Sequence, residues 1–81
     1  MQDFAVLSKG DRRRRECVVR RLAAPLVGCW VNIALRDGSA ISRVHLERFP
    51  GKRLLRYSTV VGGVRFVPLA EVDMITEENE K

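Results

Sequence analysis

The chain has 81 residues, of which 46% are hydrophobic and 31% are charged, and its formal net charge is +5. This size and composition predict one globular domain near the lower limit for a single hydrophobic core, and they exclude a disordered chain. We also expect no membrane span, no secretory leader in residues 1–10 and no disulfide framework, and therefore a cytoplasmic location.

Positive charge is spread over residues 1–70, whereas residues 71–81 are acidic. Arginine strongly outnumbers lysine, and guanidinium groups suit phosphate and carboxylate ligands better than ammonium groups do. The chain is therefore expected to bind an anionic partner.

Residues 11–25 carry the helix signal of the chain. Asp11 is a preferred N-cap residue, and Pro25 and Gly28 would end the segment. An apolar stripe at helical spacing comprises Val18, Leu22 and Leu26, with Val19 and Ala23 beside it. The spacing predicts that the Val18 stripe packs on the core.

Arginines occupy the other side of this predicted helix in two pairs spaced seven residues apart: Arg13 with Arg20, and Arg14 with Arg21. Cations close to a helix N-terminus oppose the helix dipole, which is a local cost. This cost favours a binding role for the arginines, with ordinary solvated charge as the alternative.

From Gly28 onward the hydrophobic period changes to two, which is typical of strands. Five strands are predicted, at residues 29–36, 39–49, 54–61, 64–67 and 72–75. Turn signals separate them: Asp37-Gly38, Pro50-Gly51, Gly62-Gly63 and Pro68. The sequence thus predicts a mainly β domain with one N-terminal helix, curled into a small five-stranded SH3-like or Sm-like barrel that has few exposed edges.

The predicted organisation is an N-terminal arm at 1–10, the helix and barrel at 11–76, and an acidic tail at 77–81. The predicted core comprises Val18, Leu22, Val31, Ile33, Leu35, Val44, Phe66 and Val72.

The order of elements resembles that of the Sm-like small barrels, the superfamily of the Hfq and Rof types. The pattern Val31-x-Ile33-x-Leu35-x-Asp37-Gly38 is similar to the first strand of that family, and residues 64–72 are similar to its last two strands. Residues 64–72 are equally similar to the PRC-type barrel, a protein-docking module. The family usually has a glycine that matches Gly38 and a second glycine five residues later, at the bend of the second strand. This chain has Arg43 at the second position. By analogy, the resemblance implies RNA or a protein of the transcription machinery as the partner.

No group of residues predicts catalysis, a metal site or a cofactor. His45 is the single histidine, and Gly62-Gly63 lacks the lysine of a phosphate loop. Cys17 and Cys29 are expected to be small buried residues and not zinc ligands.

Binding is therefore the predicted activity, through nine basic residues: Arg13, Arg14, Arg20, Arg21, Arg43, Arg48, Lys52, Arg53 and Arg56. They predict an RNA-binding domain or a regulator of the RNA-handling machinery. Trp30 and Tyr57 are the candidates for base stacking. The alternatives are a protein-interaction module docked on an acidic partner, and a homo-oligomer paired through the fourth and fifth strands.

Overall fold

The computed structural model of the chain describes residues 7–78. Most of the predicted N-terminal arm and the end of the acidic tail lie outside these residues. The elements are α1 (Lys9–Ala23), a 3₁₀ turn (Ala24–Leu26), β1 (Trp30–Leu35), β2 (Ala40–Arg48), β3 (Leu54–Ser58), β4 (Val64–Pro68), a second 3₁₀ turn (Leu69–Glu71) and β5 (Val72–Glu77). The prediction of a mainly β domain with one N-terminal helix is confirmed.

Helix α1 begins earlier than predicted, because Ser8 and not Asp11 is its N-cap residue. The Ser8 hydroxyl accepts a hydrogen bond from the backbone N–H of Asp11 at 3.1 Å. Asp11 then lies in the first turn, where its carboxylate faces the positive end of the helix dipole. The prediction of Asp11 as the cap was wrong by one turn.

The side of α1 that packs on the core is not the predicted one. Val18 and Leu22 are 50% and 56% exposed, whereas Val19 and Ala23 are buried. Arg15 lies on the buried side: its Nη2 donates to the Val72 carbonyl and to the Asp73 carboxylate, each at 3.1 Å. Positions 15, 19 and 23 are four residues apart and share one face, so these contacts favour the orientation in which Val19 and Ala23 pack on the core.

The strands form one antiparallel sheet in the order β4-β3-β2-β1-β5. Strands β4 and β5 lie at opposite edges, although the 3₁₀ turn Leu69–Glu71 alone connects them. In a flat sheet these edges would be about 19 Å apart, whereas a 3₁₀ turn advances only about 2 Å per residue. The sheet must therefore curl and bring its edges towards each other, although no ladder joins β4 to β5 among residues 7–78.

Strand β2 contains a bulge at Arg43. Val31 pairs with Val44 and Ile33 pairs with Ile41, so β2 has one residue more than β1 between these pairs. Arg43 has a φ of 58°, in the left-handed region, and its N–H donates to the Asn32 side-chain oxygen at 2.8 Å. The extra residue shifts the alternation, so Ile41 packs against the same core as Val44. The strict period of two predicted for residues 39–49 would place these two side chains on opposite faces, so that period was wrong at this position.

The core lies between α1 and the concave face of the sheet. Its fully buried large side chains are Val31, Ile33, Leu46, Leu55, Leu69 and Val72. Burial of Val31, Ile33, Val44 and Val72 confirms those core predictions, and Leu35 is partly buried at the edge of the cluster. Phe66 was predicted to be buried and is exposed, because Val67 pairs with the buried Leu55 and turns the alternate positions of β4 outward.

Candidate functional site

A groove of about 480 Å³ separates α1 from the turn between β2 and β3. Its lining residues are Arg13, Glu16, Cys17, Arg20, Lys52 and Arg53. Four of the nine basic residues predicted to bind a ligand therefore meet here, although they come from distant parts of the sequence. The groove concentrates positive charge on one concave surface, an arrangement that attracts anions.

Arg20 holds the two walls of the groove together. Its guanidinium donates a hydrogen bond to the carbonyl of Gly51 and lies 5.3 Å from the centre of the Phe49 ring. Both contacts tie the helix to the β2–β3 turn. Arg20 is thus engaged within the protein. The side chains of Arg13, Lys52 and Arg53 are exposed and have no hydrogen bond or ion pair with other residues of 7–78.

A carboxylate residue also lines this basic groove. Glu16 is only 8% exposed.

The two cysteines differ in exposure. Cys17 is exposed and lines the groove, because of the orientation of α1, so the prediction that Cys17 is a buried residue was wrong. Cys29 is partly buried against the core.

The other predicted helix arginines lie away from the groove lining. Arg14 is paired with Asp11 at 3.4 Å, and both side chains are largely exposed. Arg21 is exposed beside Leu22. Residues spaced seven apart share a helix face, but the two pairs differ by one position, or about 100°. Only the pair of Arg13 and Arg20 therefore faces the groove.

Two further predicted residues, Arg48 and Arg56, lie on the convex side of the sheet, which we call the outer face. The strand pairing places them directly opposite each other, and it places Phe66 opposite Arg56 on the next strand. We define the outer face by Trp30, His45, Glu47, Arg48, Arg56, Ser58 and Phe66. Arg43 is not part of this set. It lines a second groove, of about 290 Å³, together with Trp30, Val60 and Glu78.

The exposed aromatic residues of the sheet include one of the two that were predicted for base stacking. Trp30 and Phe66 are 41% and 53% exposed, whereas Tyr57 is buried in the core. The prediction for Tyr57 was wrong because its strand position alternates with Arg56, which faces outward. The exposure of Phe66 was missed, although its alternation with Val67 left both assignments open.

A hydrogen-bonded network links the residues beside Trp30. The His45 ring lies edge-on to the Trp30 ring, with centroids 5.3 Å apart. Its Nδ1 is 2.7 Å from the Glu47 carboxylate, and its Nε2 is 3.0 Å from the Gly28 carbonyl. Both partners are acceptors, so both hydrogen bonds form together only when the imidazole carries two protons. The Glu47 carboxylate also accepts from the Ser58 hydroxyl at 2.9 Å.

These contacts stabilise the charged form of Glu47. The hydrogen bond from His45 is the main cause, followed by that from Ser58, and Arg56 adds a favourable charge; together they lower the pKa of Glu47 below its ordinary value of 4.5. In the β1–β2 turn, the side chain and backbone N–H of Ser39 similarly lower the pKa of Asp37. Both carboxylates therefore favour the folded state when they are ionised.

The stability of the domain is expected to decrease in acid because of these two groups. A carboxylate with a lowered folded pKa stabilises the fold above its unfolded pKa, and this contribution is lost as the pH falls through the folded pKa. Glu47→Gln should therefore flatten the decrease in unfolding free energy below about pH 4.5, as urea titrations can measure. Asp37→Asn should act in the same direction. An acid decrease as steep in Glu47→Gln as in the parent would contradict this assignment.

Within residues 7–78, no three histidine, cysteine, aspartate or glutamate side chains are grouped as a metal site. In the same part of the chain, no helix has the length and apolar character that crossing a membrane requires. No family model, curated protein or solved structure matches this chain.

Proposed function

We propose that this domain is a non-catalytic RNA-binding module and that RNA phosphates lie in the groove between α1 and the β2–β3 turn. The observation that carries the proposal is the convergence of Arg13, Lys52 and Arg53 on one concave surface. Their guanidinium and ammonium groups suit phosphate oxygens. The hydrogen bond from Arg20 to Gly51 joins the two walls, so the backbone segments that carry these three cations lie close together before a ligand arrives.

The finer fold that we propose is an SH3-like barrel of the Sm-like kind. Three observations support it: the strand order β4-β3-β2-β1-β5, the single 3₁₀ turn between β4 and β5, and the left-handed backbone of Arg43. The last is informative because the Sm-like pattern usually has a glycine at that position, and glycine adopts this conformation without strain. Arg43 keeps the bend although the sequence lacks the glycine.

The groove is tested by removing two of its charges. A labelled single-stranded RNA is titrated with the Arg13→Gln/Lys52→Gln double variant at several salt concentrations. Each side chain that contacts a phosphate contributes about one to the slope of log affinity against log salt, so we expect the slope to decrease by roughly two. The loss should be similar for RNAs of different sequence, because phosphate contacts do not read bases.

The matched control is Arg14→Gln/Arg21→Gln. It also removes two positive charges, but from α1 residues that do not line the groove. We expect it to keep most of the parent affinity and slope. Equal losses in the two double variants would show that net charge, and not the groove, attracts RNA. A groove variant that binds like the parent would disprove the proposal.

One observation favours a second function, that of a protein-docking module with an acidic partner. The helix exposes Val18 and Leu22 next to Arg14 and Arg21, so an apolar stripe borders positive charge on an open surface. A protein that is retained from a lysate after nuclease treatment, and lost with Leu22→Ser, would support this function. Loss of all retention after nuclease treatment would favour RNA.

A further inference from the structure

We propose that the outer face of the sheet is a second binding surface, on which single-stranded RNA stacks bases on Trp30 and Phe66 and places a phosphate between Arg48 and Arg56. This inference rests on the proposed RNA binding, but it concerns a surface separate from the groove. It narrows the ligand to an unpaired strand, because the bases of a duplex are already stacked on one another.

The arginine pair is the first observation. Arg48 and Arg56 are direct partners across β2 and β3, where like charges destabilise a sheet. The Nε of Arg56 is buried and has no hydrogen-bond partner among residues 7–78, so a phosphate would contact the other nitrogens of this guanidinium. Glu47 lies nearby, but its carboxylate accepts hydrogen bonds from His45 and Ser58. A phosphate between the two guanidinium groups would offset their repulsion and accept their hydrogen bonds.

The two rings are the second observation. Phe66 is the partner of Arg56 on β4, so a ring and a guanidinium stand side by side on the same face. Trp30 is on β1, three strands away, and its row runs through Val64, two residues before Phe66 on β4. The spacing across the strands alone is about 14 Å. One base cannot contact both rings, so an RNA strand that uses both must cross the sheet and place a different base on each. The arginine pair lies between the rings and is positioned for the backbone that connects these bases.

The chemistry of the face favours RNA over a protein surface. The exposed rings are separated by charged groups and do not form a continuous apolar patch. A protein interface is usually depleted of charged residues at its core. Alternation of rings and cations is what a nucleic-acid strand needs, because its bases stack while its phosphates bind cations.

Trp30 is the only tryptophan of the chain, so its fluorescence reports on the outer face directly. The probe is an oligoadenylate of six nucleotides, with inorganic polyphosphate as a ligand that has phosphates and no bases. We expect oligoadenylate to quench Trp30 fluorescence and polyphosphate to leave it almost unchanged. Quenching of equal size by both ligands would overturn the inference, because charge alone would then account for the signal.

The stacking contribution of Phe66 is tested with Phe66→Ala, which should weaken oligoadenylate binding about tenfold at fixed salt. Phe66→Leu keeps an apolar side chain without a ring and should weaken binding nearly as much. Val61→Ala removes apolar surface from the exposed β3–β4 turn and should bind like the parent. Circular dichroism shows which variants are folded, and the leucine variant keeps the test valid if the alanine variant does not fold.

The phosphate contact is tested with Arg48→Gln/Arg56→Gln, which should reduce the salt slope by about one, for one shared phosphate. Arg65→Gln is the control for a lost charge: Arg65 precedes Phe66 on β4 and pairs with Tyr57, on the opposite face of the sheet. We expect Arg65→Gln to keep the slope of the parent. Equal slopes for the outer-face variant and the parent would overturn the inference.

The groove and the outer face can fail separately. If only the groove variant Arg13→Gln/Lys52→Gln loses affinity, the outer face is not a binding surface and the proposed function stands. If only the outer-face variants lose affinity, the groove assignment fails and the outer-face inference stands. Sedimentation tests a different role for Phe66. If Phe66→Ala converts an oligomer into a monomer and leaves the RNA affinity unchanged, the ring contacts a second copy of the chain and not RNA.

Discussion

Replacing Ile33 by alanine is expected to lower the free energy of unfolding by about 2–5 kcal/mol. Ile33 lies in the middle of β1, an interior strand between β2 and β5, and its side chain is fully buried. Ile33 pairs with Ile41 on one side and with Ile75 on the other. Truncation of the Ile33 side chain therefore leaves a cavity that these two neighbours cannot fill. A loss of this size is a large share of the stability of so small a domain.

Leu35→Ala is the matched comparison for this effect. Leu35 is at the end of the same strand and is only partly buried, so less apolar surface is lost and the rim can relax into the space. We expect it to cost clearly less than Ile33→Ala in urea or guanidinium titrations. A larger loss at Leu35 than at Ile33 would contradict the assignment of the centre of the core.

Arg15→Leu is expected to cost about 1–3 kcal/mol, the range for a hydrogen-bonded group whose buried partner is left unsatisfied. The Arg15 side chain is 32% exposed, and its guanidinium donates to the Val72 carbonyl and to Asp73. Both acceptors lie at a bulge of β5, where the pairing with β1 shifts by one residue between Met74 and Val72. Without Arg15, the carbonyl of Val72 would lose this donor, and α1 would lose the contact that turns Val19 towards the core.

Arg14→Leu is the control, because it makes the same change one residue earlier in the helix. Arg14 pairs with Asp11 on the surface, and such an exposed pair contributes at most about 0.5 kcal/mol. Thermal and urea unfolding should therefore separate the two variants clearly. Equal stability of Arg14→Leu and Arg15→Leu would show that the contact to β5 does not fix the helix.

The two proposed surfaces differ in what they recognise. The groove presents Arg13, Lys52 and Arg53 and would bind phosphates without regard to sequence. The outer face adds Trp30 and Phe66 and would bind only strands with free bases. If both bind the same RNA, the groove supplies most of the salt dependence, and the outer face excludes a duplex.

The amino-acid sequence predicted one helix followed by five strands, in the order that the structure has. The change of period at Gly28 and the turn signals such as Asp37-Gly38 are local properties, because each depends on neighbouring residues along the chain. The period-two pattern of β1 also predicted the burial of Val31 and Ile33, which stand on either side of the polar Asn32. The excess of arginine was equally visible in the sequence and led to most of the residues that now line the groove.

Long-range contacts select between patterns that are equivalent in the sequence. The helix has two apolar stripes one residue apart, and the buried one lies on the side on which Arg15 contacts β5. The bulge at Arg43 changes the alternation of β2, and it is accompanied by a hydrogen bond from the Arg43 N–H to Asn32 on another strand. Phe66 is exposed because β4 pairs with β3 in one of two possible registers, and a shift of one residue would exchange its two faces. These choices depend on contacts between residues far apart in the chain, which local periodicity does not contain.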